Sequence, residues 1–88
     1  MVSKFKANIV VSRKRGVADP EGNTIAEALV RLGNKSILSV RVSRMFQLTI
    51  DAKDIAQTKQ IAERVATEVL TNPVIETFTI LDMEEINK

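Results

Sequence analysis

Three observations place this chain in the α+β class, as an open-faced α/β sandwich. Several short stretches alternate apolar and polar residues with a period of two, two longer ones repeat with a period of 3.6, and turn-forming residues separate them. In chain order these read β-α-β-β-α-β. A helix with a single apolar stripe can cover only one layer, so both helices are expected on one face of a four-stranded, largely antiparallel sheet. That plan is ferredoxin-like or a near relative of it. One domain is expected over residues 1–84, with a short polar C-terminal tail over 85–88.

The first strand spans residues 4–12, where Phe5, Ala7, Ile9 and Val11 alternate with Lys6, Asn8, Val10 and Ser12. Gly16, Asp19, Pro20 and Gly22 then punctuate an exposed loop over 13–23. Thr24, with Glu27 three residues on, has the form of a capping box opening the first helix. Ile25, Ala28, Leu29 and Leu32 make its stripe, and Gly33-Asn34 suits its C-terminal end. Two strands follow: Leu38, Val40 and Val42 alternate inward, then Phe46, Leu48 and Ile50. Setting Val42 opposite Phe46 leaves Ser43-Arg44-Met45 as a hairpin connection. The second helix is capped by Asp51 or Asp54. Its stripe is Thr58, Ala62, Val65, Ala66 and Val69, flanked by Ile55, Ile61 and Leu70, and it stops at Asn72-Pro73. The last strand runs from about Ile75 to Met83.

Composition narrows the chemistry. The 88 residues hold no Cys and no His, which removes disulfides, thiolate nucleophiles, zinc sites of the usual kind and imidazole acid–base catalysis. No carboxylate cluster has the spacing of an oxygen-ligand metal site. A balance of 13 Lys plus Arg against 11 Asp plus Glu is too even to announce nucleic acid. The three Phe are the only aromatics, too few for base-stacking platforms. With neither a long apolar run nor Cys, a cytoplasmic location is expected and no membrane partner. A domain of this size has a modest core, so association with other chains is the expected source of further stability.

Several groups are candidates for partner contact because the pattern exposes them. Arg13, Lys14 and Arg15 form the densest cationic cluster and suit an acidic surface, although a solvated loop explains them equally well. Asp19, Pro20, Glu21 and Gly22 read as a turn whose carboxylates stay solvated, giving no catalytic pair. Arg41 and Arg44 flank the hairpin. Leu81 and Met83 give the last strand a second apolar side beside Phe78 and Ile80, and a strand apolar on both faces commonly meets another chain. No Ser or Thr has an activating base beside it. No catalytic, cofactor-binding or metal residue is assigned.

Three stretches resemble the PurS family, the small subunit of phosphoribosylformylglycinamidine (FGAM) synthase. Gly16-Val17-Ala18-Asp19-Pro20-Glu21-Gly22, running into Ile25 to Leu32, is similar to that family's Asp-Pro-x-Gly approach to its first helix. Val40-Arg41-Val42-Ser43-Arg44-Met45-Phe46-Gln47-Leu48-Thr49-Ile50 resembles Val-Arg-x-Gly-Lys followed by Leu-x-Ile. Leu70-Thr71-Asn72-Pro73-Val74-Ile75-Glu76 resembles Leu-x-Asn-x-Val-Ile-Glu. Ser43 stands where the family tends to have Gly, and Arg44 stands for a Lys, which keeps the charge but changes its shape. The resemblance implies a non-catalytic subunit that forms a homodimer, bridges a glutaminase subunit and a large synthetase subunit, and assists ammonia transfer. The complex so implied converts formylglycinamide ribonucleotide, ATP and glutamine to the amidine in purine biosynthesis. It further implies no cofactor on this chain, with ATP and Mg used by the synthetase. An ACT-like small-ligand regulatory domain and an RNA-binding module share the strand order and are the alternatives.

Overall fold

In the computed structural model, which describes residues 2–86, the elements are β1 (Ser3–Arg13), α1 (Pro20–Arg31), β2 (Arg44–Ala52), α2 (Ile55–Val65) and β3 (Glu76–Ile86). The sheet is antiparallel with order β2-β1-β3. β1 is central because its inward residues Phe5, Ala7, Ile9 and Val11 are all apolar and all buried. α2 lies across them, with Thr58, Ala62 and Ala66 facing the sheet. Ile50 and Ala52 complete the buried cluster, and Leu48, Ile61, Leu70, Phe78, Ile80 and Met83 pack around it. The buried Thr58 hydroxyl donates to the Asp54 carbonyl at 3.0 Å, so burying it leaves no polar group unmatched.

The sheet has three strands, not four. Residues 37–43 form no regular secondary structure and join no ladder; the Val42 N–H donates to the Asp19 carboxylate at 2.8 Å instead. The expected hairpin is absent for a local reason. A tight reversal needs residues that tolerate positive φ, and Ser43, Arg44 and Met45 do not favour it. Arg44 and Met45 open β2 instead, opposite Val11 and Val10.

Each helix departs from expectation at one end. α1 begins four residues before the capping box, with Asp19 as N-cap and Pro20 at the first helical position. Asp-Pro read as a turn is here a helix start: the ring pre-sets φ and the carboxylate takes an otherwise orphan N–H. Gly33, at φ +97°, ends the helix as expected. Asp54 caps α2, and its carboxylate accepts the Gln57 N–H at 2.8 Å, while Asp51 is a β2 residue 3.1 Å from Lys4. A π-turn over Ala66–Leu70 closes α2. The wider turn moves Val69 off the expected stripe into solvent and brings Leu70 to the core.

β3 carries a bulge. Asn8 pairs with Asp82 and Ile9 with Ile80, leaving Leu81 without a partner on β1. The extra residue shifts the alternation, so Met83 turns inward onto the core, away from the open face where it was expected beside Leu81. β3 continues through Glu85 and Ile86, opposite Phe5 and Lys4, beyond the expected start of a tail. The Lys6–Glu84 ion pair, 3.3 Å apart, also bridges this end of β3 to β1. Residues 87–88 of that expectation lie outside the described residues.

The largest departure is α1. α2 packs against all three strands, whereas α1 makes no substantial contact with any of them. Ile25 and Val30 are exposed, Leu32 is 78% exposed, and Leu38, just beyond the helix, is 92% exposed. The chain is accordingly drawn out, measuring 56 × 29 × 14 Å with a radius of gyration of 16.9 Å; a compact chain of this length has a radius near ~12 Å. Its surface of 6335 Å² exceeds by roughly 1,200 Å² that of a compact monomer of equal mass.

Stability should therefore divide along the chain. In urea unfolding, Ile9→Ala is expected to cost ~2–5 kcal/mol, since Ile9 is among the largest fully buried side chains. Leu32→Ala should change monomer stability by under ~0.5 kcal/mol. Equal effects would place α1 in the core of its own chain.

Candidate interaction surface

β1 ends where β2 and β3 begin, so that end of the sheet gathers residues distant in sequence: Arg44 faces Val11, and Glu76 faces Arg13. The Arg41 guanidinium donates to the carbonyls of Arg13 and Lys14, each at 3.4 Å. Arg44 pairs with Glu76 at 3.2 Å and lies 5.6 Å from the centroid of the Phe46 ring. Gly16, at φ +87°, lets the chain reverse just after Lys14 and Arg15, both of which are exposed. Arg13, Lys14, Arg15, Arg41 and Arg44 thus share one end of the sheet.

Asp19 joins that end to α1. Its side chain is buried, and its two oxygens accept the Gly22 N–H at 2.9 Å and the Val42 N–H at 2.8 Å. These two hydrogen bonds hold its carboxyl below the ordinary range, with Arg13 and Arg41 adding to the effect. Gly22 is buried where the Val40 carbonyl crosses the helix, and a Cβ there would collide with that oxygen. The Ser12 and Ser43 hydroxyls, 2.7 Å apart, tie the same segment to β1. Of the Asp19–Gly22 group, then, Asp19 and Gly22 form a buried latch, while Pro20 and Glu21 are exposed on the first turn. Leu81 is exposed mid-strand, away from the cationic end, and Met83 is inward.

The open face of the sheet is polar at its centre, with Val10, Met45 and Leu81 as its apolar members. Gln47 donates to Asn8 at 3.0 Å and Asn8 to Asp82 at 2.8 Å, one rung across all three strands. Phe78 packs against the core and the half-buried Phe46 shares its face of β2 with Leu48 and Ile50. The open face therefore offers no stacking platform, which leaves the RNA-binding alternative without its chemistry. Among the described residues no group of three or more carboxylates could hold a metal ion, and no helix is long and apolar enough to cross a membrane.

Sequence reasoning missed the exposed apolar groups on and after α1: Ile25, Val30, Leu32, Ile37 and Leu38. A helical stripe looks the same whether it meets its own sheet or another molecule. The residues gave no sign of the difference.

The comparisons agree with one another. The family model PurS, described as phosphoribosylformylglycinamidine (FGAM) synthase, matches residues 6–84. A subunit named PurS of that synthase from Mycobacterium leprae is 39% identical over 85% of this chain and 91% of its own length. The crystal structure of Methanocaldococcus jannaschii PurS, one of the subunits of formylglycinamide ribonucleotide amidotransferase in the purine biosynthetic pathway, superposes with a TM-score of 0.82. It is 32% identical, covering 94% of this chain and 99% of the other. The structure of PurLQS from Thermotoga maritima includes a chain with a TM-score of 0.79 and 26% identity, covering 94% and 98%.

The Asp19 latch has a pH signature. Its folded pKa lies below the ordinary 3.8, so the unfolded chain binds the proton more tightly. The stabilisation it gives is complete above that ordinary value and fades as pH falls through the folded one. Asp19→Asn keeps the shape but sets an amide donor against one N–H donor. At neutral pH, hydrogen exchange at the Gly22 and Val42 amides should accelerate at least ~10-fold in that variant, and part of the acid sensitivity of unfolding should disappear. Unchanged exchange at both amides would refute the latch.

Proposed function

This chain belongs to the PurS family, and from that premise we propose that it bridges the glutaminase and synthetase subunits of FGAM synthase as a homodimer. The chain is a subunit of that ligase complex, which serves purine biosynthesis. The observation that carries association with another chain is the unpacked α1. A helix whose apolar stripe finds no cover on its own sheet is built to be covered by another chain. The surplus of roughly 1,200 Å² over a compact monomer exceeds the ~800 Å² that each partner contributes to a standard interface. A second copy accounts for that area most simply, since each copy would offer an exposed stripe and lack a cover for its own.

In this reading the chain binds no cofactor, ATP and Mg belong to the synthetase, and the assembly works in the cytoplasm. The complex converts formylglycinamide ribonucleotide, ATP and glutamine to formylglycinamidine ribonucleotide. Ammonia released from glutamine would be protonated and lost in bulk water, so a subunit that holds two active sites together and excludes water assists its transfer. A chain without His, Cys or an activated hydroxyl suits that task.

Two measurements test the reading. In a reconstituted complex, omitting this chain should abolish glutamine-driven ATP turnover and leave ammonium-driven turnover largely intact; if neither rate changes, the bridging role fails. By light scattering the chain should be dimeric, and Leu32→Asp with Leu38→Asp should shift it to monomer by at least ~10-fold in dissociation constant while leaving the circular dichroism of the sheet unaltered. A monomeric parent chain would sink the dimer.

A further inference from the structure

Residues 14–43 form an arm that leaves the sheet at the end of β1 and returns at the start of β2, where Val11 and Arg44 are the last pair of the ladder. Its tip is turned by Gly33 and Asn34, and the Asn34 N–H donates to the Leu29 carbonyl at 2.9 Å. Its exposed apolar residues gather toward that tip, Leu32 and Leu38 foremost. Its base is held by polar contacts. The Ser12 and Ser43 hydroxyls lie 2.7 Å apart, the Arg41 guanidinium donates to the Arg13 and Lys14 carbonyls, and Asp19 takes the Val42 N–H. Gly22 closes this clasp: the Val40 carbonyl oxygen sits where a Cβ would stand, and that Cβ would also come within 2.9 Å of the Asp19 carboxylate.

α1 makes no substantial contact with any strand, so the clasp sets its direction in place of packing. The helix's 12 residues span about 18 Å. A tilt of about 20° at the base would carry the far end roughly 6 Å, beyond the ~4 Å over which apolar side chains touch. Two copies that meet through such stripes need both arms aimed correctly at once. An arm free to swing would have to be ordered on association, at a cost in affinity, whereas an arm already clasped has lost that freedom on folding.

Resting on the dimer reading above, we propose that Asp19 and Gly22, with Arg41 in support, are positioning residues for the dimer: they aim α1 before a second copy arrives and so set the affinity of an interface they do not line. Asp19 and Gly22 are buried, and Arg41 is turned onto backbone carbonyls, so the three stand apart from the apolar stripe. Helix capping alone explains less. A cap needs one carboxylate oxygen, here on the Gly22 N–H, yet the second oxygen holds the Val42 N–H, 23 residues along the chain from Asp19. Capping also gives no reason for Gly at position 22, where Ala is the better helix former. The close approach of the Val40 backbone gives that reason.

Gly22→Ala and Asp19→Ser separate the two roles. The first improves helix propensity and the second keeps a good N-cap, while each opens the clasp. In sedimentation experiments on the full chain, each should weaken the dimer at least ~10-fold in dissociation constant and keep the parent's far-ultraviolet circular dichroism. Arg41→Ala should weaken it by a smaller factor of about 3, and it carries the test if either of the others fails to fold. The absence of Cys allows a pair of spin labels, at Lys35→Cys near the tip and Thr49→Cys on the sheet, in doubly labelled chain diluted into unlabelled chain. The label-to-label distance distribution should be narrow in the parent background and broad with Gly22→Ala or Asp19→Ser. Parent-like dissociation constants, or weaker dimers whose distribution stays as narrow as the parent's, would overturn the positioning role and leave the dimer intact. A monomeric parent would sink the dimer reading, and the proposal with it.

Discussion

The structure depends on how little β1 has to offer a covering helix. Its inward face is Phe5, Ala7, Ile9 and Val11, and what meets it from α2 is Thr58, Ala62 and Ala66. Small side chains on both sides let a helix lie close on the sheet, yet they bury modest apolar area per residue. One helix fills the space that three strands provide. With no fourth strand to widen the sheet, α1 has no site on its own chain, and the exposed apolar stripe follows from that geometry.

What remains of α1's attachment is polar and local. The Asp19 carboxylate caps the helix and holds the returning segment at Val42, while Gly22 allows the Val40 backbone to cross in contact. One carboxylate thus satisfies two backbone donors that no ladder serves, which is why it can be buried without cost beyond its desolvation. The same latch sets where α1 projects from the sheet. A surface meant for another chain is positioned by a buried group rather than by packing, so its direction is well defined even though its apolar face is uncovered.

Much of this was legible in the residues, and the parts that were not have identifiable causes. β1 and β2 followed from period-two alternation, and Gly33 and Asp54 marked helix ends correctly, because these depend on side-chain direction and local backbone chemistry alone. The hairpin at Ser43-Arg44-Met45 failed because alternation over 38–43 describes an extended segment and cannot say whether a neighbour hydrogen-bonds to it. The start of α1 was misplaced because Asp-Pro serves a turn and a helix start equally. Met83 and Val69 were assigned to the wrong faces because of single inserted residues, a bulge before the first and a π-turn around the second. The cationic end was legible as residue types but not as a site: Arg13, Arg41 and Arg44 come together only through the register of β1 with its two neighbours.

Folding and assembly are coupled in a chain of this form. An uncovered stripe of Ile25, Leu32 and Leu38 has two fates in water, non-specific association or burial against a defined partner. Anything that binds only the folded chain stabilises it by mass action, in proportion to the logarithm of partner concentration over dissociation constant. A small core therefore need not hold the chain folded unaided when partners are at hand. The alanines of α2 are constrained all the same: filling them with larger residues would push α2 off the sheet and move the 71–76 loop at its end. The modest core and the defined outer surfaces are in that sense one solution, in which close packing of α2 fixes where the 71–76 loop is presented and the Asp19 latch fixes where α1 is.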